Sequence, residues 1–142
     1  MKKKGDVRVL LVEDNPGDVR LVLEAFKEIN MKFRITVAQD GEEAIAALKA
    51  EENGGADIIL LDLKIPKKSG FEVLDEVRRD EKYAGIPVII MSSSRLKKDI
   101  EEAYRLKANF YITKESGIEE YVEIAKYIES FWMSSANPPP AV

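Results

Sequence analysis

The stretch Ile58-Ile59-Leu60-Leu61-Asp62-Leu63-Lys64-Ile65-Pro66 decides the fold. Four consecutive large aliphatic residues leave no polar face, which is how a strand covered on both sides of a parallel sheet reads. The run ends on a carboxylate. An unpaired charge closing so apolar a strand would be expensive, so Asp62 needs a partner or a ligand.

Working outward, apolar runs recur at 7–12, 33–38, 88–91 and 110–112. Segments with helical spacing lie between them. The first carries Val19, Val22, Leu23 and Phe26, and the last Ile118, Tyr121, Val122, Ala125 and Ile128. Helix starts are signed by Asn15-Pro16, by the capping boxes Ser69-x-x-Glu72 and Ser116-x-x-Glu119, and by the variant Asp40-x-x-Glu43. Gly54 and Gly55 are expected to end the second helix. The pattern is (βα) five times over, which predicts an α/β, doubly wound fold around a five-stranded parallel sheet. Without a glycine-rich first turn, the flavodoxin-like order 2-1-3-4-5 is favoured over the dinucleotide-binding one. Residues 1–133 are expected to form a single domain and 134–142, with Pro138-Pro139-Pro140, a disordered tail.

Composition narrows the chemistry. The 142 residues include no cysteine and no histidine, which removes disulfides, thiolate metal sites, Ser–His triads and imidazole catalysis. A net charge of −4 argues against a basic footprint for direct nucleic-acid binding. The run after Lys2-Lys3-Lys4 contains Arg8 and ends at Glu13-Asp14, too short for a signal core of roughly 7–15 apolar residues or a membrane span of about 20. A cytoplasmic protein without membrane contact is expected.

In this sheet order the ligand crevice opens where the winding reverses, between strands 1 and 3. Glu13-Asp14 end the first strand and Asp62 the third, so three carboxylates converge there. Ser92 ends the fourth strand, and Thr113-Lys114 the fifth. Each residue also has an ordinary role: Asp14 could start a helix, Lys114 could be a surface amine, and Ser92 a backbone-bonded hydroxyl. Tyr111 shares a strand face with Asn109 and Thr113, opposite Phe110 and Ile112, and edge-strand packing would account for it. Together, oxygen-only ligands suit a hard cation such as magnesium, and the whole set is equipped for phosphoryl transfer, with a carboxylate able to act as nucleophile.

Over about 7–132 the sequence resembles a response-regulator receiver domain of two-component signalling. The resemblance rests on Glu13-Asp14, on Asp62-Leu63-Lys64-Ile65-Pro66 with Gly70 behind it, and on Ser92, Tyr111 and Lys114 at the family's spacing. Val12-Glu13-Asp14-Asn15-Pro16-Gly17-Asp18 and a last helix ending Phe131-Trp132 look like a narrower group that contains stand-alone receivers, including those serving phytochrome-type histidine kinases. The resemblance implies a phosphorelay role. Asp62 is the phosphoacceptor, Mg2+ is held by Asp14, Asp62 and the Lys64 carbonyl with Glu13 acting through water, and Lys114 neutralises a phosphoryl oxygen. Ser92 and Tyr111 are the switch residues, and the face of helix 4, strand 5 and helix 5 is the output. Partners would be a sensor histidine kinase or phosphotransfer protein, with a homodimer as a further route.

Two positions depart from the family. Glu115 replaces the proline usual after the lysine, so a trans bond and a differently shaped loop are expected. Lys107 stands where glycine commonly ends helix 4, so that cap must be made another way. Two other readings compete. A receiver-like module that binds partners without being phosphorylated is one. A phosphohydrolase is the other, but Lys64 occupies the place of its second carboxylate. No G-x-G-x-x-G or G-x-x-x-x-G-K-[ST] supports nucleotide binding.

Overall fold

In the computed structural model, residues 6–51, 55–114 and 117–134 are described. The elements alternate as β1 (Asp6–Val12), α1 (Pro16–Lys27), β2 (Lys32–Ala38), α2 (Gly41–Ala50), β3 (Ile58–Leu61), α3 (Gly70–Arg79), β4 (Val88–Ser92), α4 (Lys97–Arg105), β5 (Phe110–Thr113) and α5 (Glu119–Ser134). All strand pairs are parallel, and the sheet order is β2-β1-β3-β4-β5, as expected.

Period-two alternation on the central strands builds two cores. Leu10, Val12, Ile59, Leu61, Val88 and Ile90 point to one face, against Ala44 and Leu48 of α2 and Val73, Leu74 and Val77 of α3. Val9, Leu11, Ile58, Leu60, Ile89 and Met91 point to the other, against Val22, Ala25 and Phe26 of α1 and Tyr121, Ile124, Ala125 and Ile128 of α5. β3 and β4 are buried along their whole length, which is why they carry no alternating polar residues.

Most helix starts follow the sequence signals. Asn15 accepts the Asp18 N–H at 3.0 Å, Asp40 accepts that of Glu43 at 2.8 Å, and Ser69 and Glu72 close a full capping box. Ser116 lies outside the described residues. One expectation on a boundary needs correction. α2 ends at Ala50, before the glycine pair, because Glu51 is already extended. Gly54 is not described, and Gly55 instead takes φ +92° at the approach to β3. α5 runs through Ser134, and residues 135–142, where the tail was expected, lie outside the described residues.

α4 is the least anchored helix. Ala103 is its one buried residue, and its N-cap, Leu96, makes no side-chain cap. Its far end closes without glycine: Lys107 adopts φ +72°, with its N–H donating to the Tyr104 carbonyl and that of Ala108 to the Ala103 carbonyl. That is the paired bonding of a Schellman cap, built on a lysine.

Candidate functional site

Register explains why the acids meet. Val12 pairs with Leu61, so β1 and β3 end at the same level and Glu13 and Asp62 follow side by side. The Asp62 N–H donates to the Val12 carbonyl at 3.0 Å, and the Glu13 N–H to the Ala38 carbonyl at 2.9 Å. Both carboxylates are thereby fixed at the rim of the sheet. Glu13, Asp14 and Asp62 each offer a carboxylate oxygen, and these oxygens lie within 4.8 Å of one another. Glu13 has no solvent exposure and Asp62 is 6% exposed, while Asp14 is open to solvent.

The loop after Asp62 is shaped by close approach. The Gly70 N–H donates to the Leu63 carbonyl at 2.9 Å, and a Cβ on Gly70 would sit 2.5 Å from the Asp62 carbonyl oxygen. The first turn of α3 can therefore pack against the Asp62 backbone only with glycine there. The Lys64 N–H donates to Asp62 Oδ1 at 3.2 Å, which brings the Lys64 backbone to the site.

β5 delivers Lys114. Its N–H donates to the Ser92 carbonyl at 2.7 Å, and its ammonium reaches three acids: Glu13 Oε1 at 2.6 Å, Asp18 Oδ2 at 2.9 Å and Asp62 Oδ2 at 3.2 Å. The Glu13 contact is the shortest of the three, a buried ion pair between the carboxylate and the ammonium. Burial pushes the Glu13 carboxyl up to about 7; the Asp62 charge adds to this, while Lys114 and the Asn15 N–H oppose it. Burial works against the Lys114 ammonium, but Glu13, Asp18 and Asp62 more than offset it and hold its pKa above the ordinary value.

The hydroxyl side of the site is continuous with α4. Buried Ser92 accepts the Ser94 N–H at 3.1 Å, and Ser94 Oγ in turn donates to Asp99 in the first turn of α4. The Tyr111 ring packs against the α2–α3 core, and its hydroxyl donates to the Ser94 carbonyl at 2.8 Å. Phe110 and Ile112 point the other way, as the alternation required: Ile112 packs against the α1–α5 core, and Phe110 meets Tyr127 edge-on at 5.6 Å. Thus Glu13, Asp14, Asp62 and Lys114 form one cluster, with Ser92 and Tyr111 linked to each other through Ser94. Glu115 lies outside the described residues, as does the bond joining it to Lys114. Asp18 closes the stretch from Val12 that resembles stand-alone receivers, but nothing in that stretch gave it a role at the site.

The donor set suits a hard cation. Every ligand atom is oxygen, and three acids crowd together with a single ammonium among them. The response regulator receiver domain family matches the chain over residues 9–126. The chain belongs to that family. The receiver is 35% identical over 137 residues to response regulator Rcp1 of Synechocystis sp. (strain ATCC 27184 / PCC 6803 / Kazusa), covering 94% of this chain and 93% of that protein. Its fold is similar to the phosphorylated cyanobacterial phytochrome response regulator RcpA, with a TM-score of 0.82, 40% identity, and 94% and 99% of the two chains covered. It is also similar to the Mn2+-bound form of Rcp1, with a TM-score of 0.79, 33% identity and the same coverage. The receiver therefore stands close to stand-alone phytochrome response regulators.

Proposed function

We propose that the chain is a phosphoacceptor in a histidine–aspartate phosphorelay, with Asp62 as the accepting residue. The observation that carries this reading is one cluster at the rim of the sheet: an acid at the end of β3, two acids at the end of β1, and the Lys114 ammonium 3.2 Å from Asp62. An Asp62 oxygen attacks the phosphorus of a phosphohistidine on a sensor kinase or phosphotransfer protein. An O–P bond forms, the N–P bond breaks, and the imidazole nitrogen leaves with the electron pair. Lys114 compensates the charge that gathers on the phosphoryl oxygens. Asp14, Asp62, the Lys64 carbonyl and, through water, Glu13 would hold Mg2+. A bound magnesium ion supplies charge neutralisation at those oxygens. That a relative is known in a manganese-bound form supports a divalent site here.

Ser92 and Tyr111 act as the switch, and α4, β5 and α5 form the output face. Support comes from exposed Tyr104, Phe110 and Tyr127 on those three elements, a surface fit for a partner or for a second copy. Among the described residues no helix is long and apolar enough to cross a membrane, which supports a cytoplasmic setting. The test is incubation with acetyl phosphate and magnesium, read by intact mass. One phosphoryl group should be added to the wild type and none to Asp62→Asn. Label on the asparagine variant would overturn the acceptor assignment. A folded wild type that takes no label would favour a binding module that works unphosphorylated.

A further inference from the structure

Lys114 is held by three acids, and one of them is a different kind of neighbour. Glu13 and Asp62 belong to the cluster that could hold a cation; Asp18 does not. Asp18 sits in the first turn of α1, its backbone fixed by the Asn15 cap, with its half-buried carboxylate 2.9 Å from Lys114 Nζ. Glu13 and Asp62 would turn their oxygens to a dication held on the cluster, whose charge would repel the ammonium beside them. Of the three acids around Lys114, Asp18 alone then remains free to hold it. Behind this contact Tyr121 of α5 is buried, its hydroxyl without a hydrogen-bond partner and neutral at working pH, so it brings no charge that could replace the carboxylate of Asp18. Glu115 has no ring to fix its φ, unlike proline, so the side-chain anchor matters more here.

We infer that Asp18 is a positioning residue for phosphoryl transfer, holding the Lys114 ammonium over Asp62 once a metal ion has withdrawn Glu13 and Asp62 from it. The inference rests on the phosphoacceptor reading. It requires no exchange of partners, because an ammonium has three N–H groups and can hold Asp18 and a phosphoryl oxygen at once.

The test is a double-mutant cycle of wild type, Asp18→Asn, Lys114→Ala and the double variant. Phosphoryl uptake from acetyl phosphate is followed at saturating magnesium and donor; there the Asp62 O–P bond forms as the bond to acetate breaks. Asp18→Asn should slow uptake about tenfold, in keeping with a misplaced charge at a reacting centre. Asp18→Glu should restore most of the rate. In the Lys114→Ala background the same Asn substitution should change the rate by less than about twofold, since its effect runs through the lysine. Losing a charge from the first turn of α1 affects both backgrounds equally and cancels. Urea unfolding of the four metal-free proteins is the second readout, and the midpoint shifts should be non-additive. Full-rate uptake by Asp18→Asn, or equal slowing in both backgrounds, would refute the inference. Absence of uptake by the wild type would instead sink the phosphoacceptor reading, with the unfolding cycle still reporting on the Asp18–Lys114 contact.

Discussion

Glu13 shows what the site costs the folded chain. Its carboxyl is pushed up to about 7 from an ordinary 4.5, chiefly by burial. A carboxyl raised in this way binds its proton more tightly in the folded state than in the unfolded one. Its contribution is therefore most favourable below 4.5, is lost progressively between 4.5 and about 7, and is flat above. Lys114 is shifted upward from 10.5, so what it contributes is constant across that window. In metal-free protein, the Glu13 contribution should fall by at most about 3 kcal/mol between pH 4.5 and 8. Thermal unfolding checks this: the wild type should lose stability relative to Glu13→Gln as pH rises through that range. Magnesium at pH 8 should raise the wild-type midpoint, because it binds the folded state alone. Equal pH slopes for the two proteins would contradict the assignment. Glu13, Asp62 and Lys114 were legible in the sequence because each follows an apolar strand directly, so strand order alone places them. Asp18 was not: its role needs the distance between α1 and the end of β5, which no local pattern carries.

At the scale of elements, caps that depend on side chains were readable, and those that depend on backbone torsion were not. Asn15, Asp40 and Ser69 all cap as their sequence patterns indicate. The glycine pair after α2 misled because a residue able to take positive φ serves whichever tight turn needs it, and Gly55 serves the entry to β3. The converse holds at Lys107, which bears a left-handed conformation that costs a side-chain-bearing residue roughly 1–2 kcal/mol. Its carbonyl accepts Arg78 Nε at 3.0 Å, so the surrounding structure fixes this torsion. Lys107→Gly keeps every backbone bond and relieves the strain. After the entropy glycine adds to the unfolded chain, a net gain of about 0.5–1 kcal/mol is expected. A higher urea midpoint at unchanged slope would show it, whereas a lower one would mean that the lysine side chain itself supports the cap.

Across the whole molecule, α4 is fastened firmly at one end and lightly at the other. Arg78 spans the fixed end: besides Lys107 it donates to the carbonyls of Ala84 and Ile86 and to Asn109 Oδ1, tying α3, the approach to β4 and the start of β5 together. No sequence motif marked Arg78, because all but one of its acceptors are backbone carbonyls brought together by the fold. The other end of α4 hangs on the bond from Ser94 to Asp99, and Ser94 is bonded in turn to Ser92 and Tyr111 at the site. Any pull on the Ser92 hydroxyl is therefore passed to the first turn of α4, while the last turn stays with Arg78. With Ala103 as its one buried residue, the helix has little packing to resist rotation about that fixed end. Hydrogen exchange should find α4 the least protected helix in the free protein and α1 and α5 among the most protected. With beryllofluoride and magnesium, the change in protection should be largest around 94–100 and fade towards 105. A uniform change along α4, or one centred on its Arg78 end, would rule out this hinge.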